Sequence, residues 1–181
     1  MSGLRNLVNQ IRAAQDDILK SRETVAVQIA SNLLAQVENR IIQKGEDADG
    51  QKFPGYSTTQ VPKFWFYGTG RTRSFDDKVK KEPGNTLSYE RARVLDNLQV
   101  GHVDFFRTGE MWHHTGVEIT KRLFAFTQVS IRGKTKEARD KIGWNSDRYG
   151  GYILKPQKDE IEAARKAYLI DRRNRILKFF R

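Results

Sequence analysis

The residues that most resemble a chemical site form a short acidic turn. Asp47, Asp49 and Gly50 have the composition of a calcium loop, in which carboxylates bind the ion and a glycine allows a sharp turn. Aligning Gly50 with that glycine places Gly45 at the first ligand position and Tyr56 at the twelfth, where acidic residues are required. Because neither residue is acidic, the sequence predicts no metal site. It favours a turn in which aspartate side chains bond to nearby backbone groups.

Other residue types that support catalysis are sparse. The three histidines are His102, His113 and His114, and adjacent side chains on a helix or strand do not converge on one ion. There is no cysteine and no G-x-S-x-G pattern. Residues 68–73 match a phosphate-binding loop only superficially. The sequence therefore predicts no enzyme, no metal and no cofactor.

A second group of candidates combines aromatic and basic residues. Phe64, Trp65 and Tyr67 form an aromatic run, which Arg71 and Arg73 follow. Such a stretch could stack on bases and contact phosphates. The alternative is that Phe64 and Phe66 face a core while Trp65 and Tyr67 contact a neighbouring subunit, since Trp and Tyr are common interface anchors. Interface contact is the favoured interpretation.

Basic charge is concentrated in the last part of the chain. The formal net charge is +11, and residues 135–181 carry 13 basic and 7 acidic side chains. Arg165, Arg172, Arg173 and Arg175 lie in the last predicted helix. A basic surface attracts nucleic acid, or an acidic protein, at long range. A solvated helix face is the alternative interpretation of the same residues.

Composition sets the size of the core. The 181 residues suit one domain, and a hydrophobic content of 38% with a mean hydropathy of -0.70 predicts a modest core that is completed against partners. No apolar run is long enough to span a membrane, and no secretory signal is visible. The absence of cysteine fits a cytoplasm.

Hydrophobic spacing predicts the elements that position these residues. Leu4, Ile11, Ile18 and Val25 recur every seven residues, and an apolar stripe continues to Ile41, so we expect one helix over 1–44, with a break near Ser21 as an alternative. Many glycines and prolines make 45–85 mostly irregular. The remaining predicted elements are helices at 87–98, 135–142 and 158–180, and strands at 116–123, 124–132 and 152–154.

The resulting fold class is α+β, with a long N-terminal helix, an extended loop, a small antiparallel β-sheet and a C-terminal helix. We predict a single domain over 1–181, divided into the helix (1–44), the loop (45–86) and a region that contains a helix, a β-hairpin and the terminal helix (87–181).

Two passages of the chain resemble a known family. Residues 45–57 follow the pattern G-x-D-x-D/N-G-x-x-F-x-x-Y-S, with Phe53 and Tyr56 as its aromatic positions. The segment Thr108-Gly109-Glu110-Met111-Trp112 precedes two predicted strands. Both passages, in this order, are similar to those of tailed-bacteriophage virion morphogenesis proteins, which are minor tail, neck or tail-completion proteins. Residues 61–85 look like an insertion in that pattern.

The resemblance implies a structural virion component and no catalytic residues. We expect a ring-like homo-oligomer that joins or completes the tail at the head–tail junction, contacts other neck and tail proteins, and encloses passing DNA. It would reside in the virion, and in the host cytoplasm during assembly. The expected subunit-interface or positioning residues are Asp47, Asp49, Gly50, Phe53, Tyr56, Phe64, Trp65, Tyr67, Met111 and Trp112. A basic nucleic-acid-binding protein is the alternative, with Arg71, Arg73 and the terminal-helix arginines as its contacts.

Overall fold

The computed structural model describes residues 2–107, 109–123 and 126–180. Its elements, in chain order, are α1 (Ser2–Asn39), a π-helical turn (Arg40–Lys44), β1 (Gln60–Pro62), a 3-10 turn (Lys63–Phe66), α2 (Phe75–Lys81), β2 (Thr86–Ser88), α3 (Tyr89–Leu95), α4 (Glu110–His113), β3 (Thr115–Arg122), β4 (Thr127–Gly133), α5 (Lys136–Arg148) and α6 (Lys158–Leu177). β1 pairs with β2, and β3 pairs with β4, in two small antiparallel sheets. The predicted α+β class is confirmed.

The chain divides into two compact units. Unit 1 consists of Met1–Val37, Gly116–Arg132 and Pro156–Arg181, and unit 2 consists of Glu38–Thr115 and Gly133–Lys155. Each unit therefore combines segments that are distant in the sequence. The prediction of one domain over 1–181 stays a prediction.

Unit 1 contains most of α1, the β3–β4 hairpin and α6. Arg175 on α6 donates to a carboxylate oxygen of Asp17 on α1 at 3.2 Å, and this hydrogen bond lowers the pKa of Asp17. Arg122 on β3 donates to Glu23 of α1 at 3.1 Å. These polar contacts join the three elements of the unit.

Unit 2 has a small aromatic and aliphatic core. Phe66, Phe75, Val79, Leu87 and Ala92 are buried together in one cluster. They come from the 3-10 turn, α2, β2 and α3, so four short elements share one core. β1 and β2 align with Val61 opposite Leu87.

The long helix is not broken at Ser21. The Ser21 hydroxyl donates to the carbonyl oxygen of Asp17 at 2.7 Å, one helical turn earlier, so it is satisfied inside the helix. The helix continues through its π-helical turn and ends at Gly45, as predicted. Gly45 is left-handed, with φ of 63°, and its N–H donates to the carbonyl oxygen of Ile41 at 3.0 Å.

Residues 45–85 are mostly irregular, as predicted, but they also contain β1, the 3-10 turn and α2. Pairing with 86–88 makes 60–62 a strand, and burial of Phe75 and Val79 at helical spacing stabilises α2. The β1–β2 pairing joins distant segments, so local sequence does not reveal it, whereas the spacing of Phe75 and Val79 is a local signal for α2. Similarly, the predicted helix 87–98 begins with β2 and continues as α3.

The predicted strand 152–154 is wrong. Ile153 and Leu154 are buried, as their apolar character suggests, but their segment is a turn, with the N–H of Lys155 bonded to the carbonyl of Tyr152. The N–H of Ile153 donates to the hydroxyl of Ser146 on α5. The hydroxyl of a helix side chain therefore accepts the hydrogen bond that a neighbouring strand would have accepted.

The other predicted elements are present, but some of their first or last residues differ from the prediction. α5 extends to Arg148, beyond the predicted 142, and α6 ends at Leu177 rather than at 180. The first hairpin strand agrees closely with its prediction, and the second begins at Thr127. Phe124 and Ala125, where the second strand was expected to begin, lie outside the described residues, as do Met1 and Thr108.

Substituting Gly45→Ala should destabilise unit 2. A Cβ at this position would lie 2.5 Å from side-chain atoms of His102, and alanine disfavours the left-handed backbone. We expect a loss of about 2 kcal/mol or more in the free energy of unfolding, measured by urea denaturation.

Gly143→Ala is the matched control. Gly143 lies inside α5, and a Cβ added there would meet nothing within 4 Å, so alanine should stabilise the helix by up to about 1 kcal/mol. Equal effects of the two substitutions would contradict the role assigned to Gly45.

Candidate functional site

The acidic turn is built from its own backbone. One carboxylate oxygen of Asp47 accepts the N–H groups of Asp49 at 2.9 Å and of Gln51 at 2.8 Å. Gly50 has a positive φ of 78°, and the N–H of Phe53 donates to the carbonyl of Gly45 at 2.8 Å. The predicted turn chemistry is confirmed, and the loop closes on the end of the long helix.

Within the described part of the chain, no group of three or more potential ligands is arranged to hold a metal ion. The three histidines serve separate contacts. A ring nitrogen of His102 lies 2.8 Å from the carbonyl oxygen of Ile42, His114 pairs with Glu110 at 2.8 Å, and the ring of His113 lies close to Gly109.

Phe53 anchors the loop by its aromatic ring. It is buried and contacts Phe105 and Tyr149 edge to face, with ring centroids 4.9 and 5.3 Å away. Phe105 and Tyr149 also contact each other at 5.2 Å. The three rings join the loop, the segment before α4 and the end of α5.

Tyr56 anchors the loop by its hydroxyl. The hydroxyl donates to a carboxylate oxygen of Asp104 at 2.5 Å and accepts the N–H of the same residue at 3.0 Å. The Arg93 guanidinium lies over the Tyr56 ring, 4.0 Å from its centroid. Burial, together with the hydrogen bond donated to Asp104, raises the pKa of Tyr56.

Arg93 is the centre of this network and is almost completely buried. Its Nη2 lies 3.1 Å from both carboxylate oxygens of Asp104. Nε donates to the carbonyl of Gln99 at 3.0 Å, and Nη1 donates to the carbonyl of Phe106 at 2.6 Å. All three nitrogens of the guanidinium therefore have acceptors. We call Tyr56, Arg93, Gln99 and Asp104 the arginine hub.

Asp104 is equally well satisfied. It accepts the side-chain amide of Gln99 at 2.7 Å and the N–H of Phe106 at 2.8 Å. The indole N–H of Trp112 donates to the backbone carbonyl oxygen of Asp104 at 3.3 Å. Met111 and Trp112 are themselves buried. The two passages that carry the family resemblance thus meet at one residue, Asp104.

Sequence reasoning missed Arg93, Gln99 and Asp104. The available signal was a charged residue within an apolar run, as in Ala92-Arg93-Val94-Leu95 and Val103-Asp104-Phe105-Phe106. Charged residues are almost never fully buried unless they are paired, so the two runs could have been matched as partners.

The exposed aromatic run lies on the 3-10 turn. Phe64 and Trp65 are 65% and 61% exposed, and Tyr67 is also exposed, whereas Phe66 is buried. The interpretation that places both Phe64 and Phe66 in a core is therefore confirmed for Phe66, which packs in the cluster with Phe75, and wrong for Phe64. The interface role of the exposed aromatics stays a prediction.

The basic candidates are distributed between the two units. In unit 2, Arg71 lies over the Phe106 ring at 5.4 Å, and Arg73 is exposed. In unit 1, Arg172 donates to the Tyr168 hydroxyl at 2.7 Å.

The other arginines of α6 differ in their pairing. Arg175 donates to Asp171 at 2.8 Å as well as to Asp17. Arg165 and Arg173 are exposed. Two of the four predicted contacts on α6, Arg172 and Arg175, therefore have partners within their own unit.

Comparisons with protein-family models, with curated proteins and with solved structures find no match. In the described residues, no helix has both the length and the apolar character needed to cross a bilayer.

Removing the Tyr56 hydroxyl should weaken the hub in a pH-dependent way. Tyr56→Phe leaves one carboxylate oxygen and one N–H of Asp104 without this partner, which should cost about 1–3 kcal/mol at neutral pH. The folded pKa is raised above the ordinary 10.0, so the tyrosine's contribution is complete below that pH and is lost as pH rises above it. The stability difference from wild type should therefore shrink above pH 10.0.

Urea unfolding across this pH range measures the effect. Tyr67→Phe is the control, because Tyr67 is exposed and should change stability by less than about 0.5 kcal/mol at any pH. A Tyr56→Phe variant that matched this control would show that the hub does not depend on the hydroxyl.

Proposed function

We propose that the chain is a structural virion component of a tailed bacteriophage that joins or completes the tail at the head–tail junction, and that it acts as a ring-like homo-oligomer. The two passages that resemble virion morphogenesis proteins support this proposal, because Tyr56 and Trp112 bond to the same buried aspartate. Short motifs that coincide by chance have no reason to meet in space.

The observation that carries the assembly is an exposed apolar stripe on α1. Leu4 is 72% exposed, and Leu7, Val8 and Ile11 are about 40% exposed. Their spacing of three and four residues places them on one helix face. Burying one such side chain completely contributes roughly 1.5–3 kcal/mol. These four residues would therefore supply a large part of the free energy of association with a partner that covers this face.

The terminal helix of the same unit presents further apolar area. Its exposed large hydrophobic residues are Ile161, Tyr168, Leu169, Ile170, Ile176 and Leu177. Large exposed apolar patches are uncommon on monomeric proteins and mark interaction surfaces. We propose that copies of this chain cover these faces, because one patch repeated around a ring is buried in every subunit.

The acidic turn and the exposed aromatic run would serve contacts beyond the ring. The hub and the Phe53 rings hold the loop rigidly, so a neighbouring surface meets a preformed shape. Phe64, Trp65 and Tyr67 are suited to anchor other neck or tail proteins. In this proposal the protein is found in the virion, and in the host cytoplasm during assembly, with basic residues near the passing DNA.

Mass photometry and electron microscopy of the purified protein test the assembly, and mass spectrometry of purified virions tests the location. We expect a closed oligomer and a virion protein of fixed copy number. A protein that stays monomeric at micromolar concentration and is absent from particles would overturn the proposal.

Variants on α1 test the apolar stripe directly. Leu7→Gln combined with Ile11→Gln should shift the protein toward monomer by at least about tenfold in the dissociation constant, because two anchors lose apolar contact. Asn6→Gln combined with Asn9→Gln is the matched control on the same helix and should leave the oligomer intact. Equal behaviour of the two double variants would exclude the stripe as the interface.

Nucleic-acid binding is the second candidate function, and the exposed arginines of α6 favour it. Arg165 and Arg173 extend from a helix in a chain of net charge +11. If they contact phosphates, Arg165→Gln combined with Arg173→Gln should weaken DNA binding. The double variant should also reduce the slope of log binding constant against log salt concentration by the amount expected for about two phosphate contacts.

Fluorescence anisotropy with labelled DNA at several salt concentrations measures this effect. Arg122→Gln combined with Arg132→Gln removes the same charge from the hairpin, where both arginines pair with glutamates. If wild type does not bind at physiological salt, this second function is excluded.

A further inference from the structure

Unit 2 contains a cavity of about 590 Å³ to which the roles above assign no occupant. Its volume is within the range of pockets that hold small ligands or side chains. Six aromatic residues contribute to its wall: Tyr56, Trp65, Phe66, Tyr89, Phe105 and Tyr149. Aromatic walls favour an occupant with an aromatic or apolar body, because edge and face contacts add to the burial of apolar area.

The charged groups of the wall are all arginines. Arg93, Arg107 and Arg148 line the cavity, and no acidic side chain of the described residues does. The charge of Arg93 is balanced by Asp104 behind it. Two positive charges therefore remain for an occupant, which points to a ligand with carboxylates or another anion.

The two remaining arginines are presented differently. Arg107 is held in place, since its Nε and Nη2 donate to the carbonyl and hydroxyl of Thr69 at 3.1 and 2.9 Å and its guanidinium lies over the ring of Tyr89. Arg148 lies over the Tyr149 ring at 5.6 Å and has no ion pair with any other described residue. The first gives a fixed cation, and the second a cation whose donors are available.

The backbone beside the cavity favours a peptide. Ser57 and Thr59 line it from an extended segment that leads into β1, and Val61 of β1 lines it as well. In the described chain β1 pairs only with β2, so its second edge has backbone groups available to an added strand. A phosphate group is less suited, because the Arg93 guanidinium already bonds to protein acceptors through all three of its nitrogens and the rest of the wall is mainly aromatic.

We infer that this cavity binds an extended acidic peptide segment of a partner protein, with an aromatic side chain inside the cavity and flanking carboxylates on Arg107 and Arg148. The net charge of +11 favours an acidic partner over a second copy of this chain. The site lies within unit 2 and does not depend on the proposed virion function, so it can hold or fail independently of ring assembly.

Isothermal titration calorimetry with capped pentapeptides tests the site on the full-length protein. The probe is acetyl-Ser-Glu-Phe-Asp-Ser-amide, and its controls replace both acids by amides or the phenylalanine by alanine. We expect saturable binding of the probe. Binding should also change the tryptophan fluorescence of the protein, and this change should be absent in the Trp65→Phe variant. Loss of the aromatic ring should weaken binding at least about tenfold, and loss of both acids at least about threefold.

Matched arginine variants locate the peptide. Arg148→Gln should weaken the probe about threefold to fivefold, and it should not unfold the protein because Arg148 is exposed. Arg173→Gln makes the same charge change in unit 1 and should leave the affinity unchanged. Arg107→Gln should have the larger effect, because that guanidinium is held in position.

Several outcomes would overturn the inference. They are no saturable binding of the probe up to about 1 mM, equal binding of the neutral or alanine peptide, and equal weakening by Arg148→Gln and Arg173→Gln. Adenosine monophosphate is included as a second probe. If it bound the wild-type protein, and more weakly the Arg148→Gln variant, while the peptide did not bind, the site would be assigned to nucleotides instead.

Discussion

The buried guanidinium of Arg93 imposes the main constraint on unit 2. Removing an ion from water costs several kcal/mol, which only good pairing offsets. Here Asp104 and the carbonyls of Gln99 and Phe106 receive its donors. Because a buried charge that loses its partner is strongly destabilising, the segments that provide these acceptors have little freedom to shift. The ion pair therefore specifies one arrangement of α3, the loop after it and the approach to α4, more than it adds net stability.

The acidic turn owes its position to the same constraint. Tyr56 reaches the network through its hydroxyl, and Phe53 packs on rings from two other segments. Asp47 and Gly50 shape the turn locally. A loop of this length without regular structure would ordinarily be mobile. Two aromatic anchors and one buried aspartate instead hold it against the core, where it also forms part of the cavity wall.

Unit 1 is held together by different interactions. Its long helices form because apolar and helix-favouring residues recur, from Leu4 onward in α1 and throughout α6, without glycine or proline. Its elements are joined by partly exposed ion pairs such as Asp17 with Arg175. Exposed pairs contribute little to stability, because water and salt screen them. At the same time Leu4 and Leu169 leave apolar area in water. Covering that area with a partner would lower the free energy of the unit, which is the physical basis of the assembly that we propose.

The sequence alone determined the features that depend on neighbours along the chain. The heptads of α1, its end at Gly45, the Asp47 turn and the hairpin at 116–132 were all predicted, because spacing and turn chemistry act over a few residues. The tertiary structure decided what depends on distant segments. β1 exists because residues 86–88 pair with it, Ile153 is satisfied by Ser146 instead of a strand, and Arg93 meets Asp104. The charges of Arg93 and Asp104 within apolar runs indicate that each needs a partner, but all three meetings are stabilised only when the chain has folded and water has been excluded.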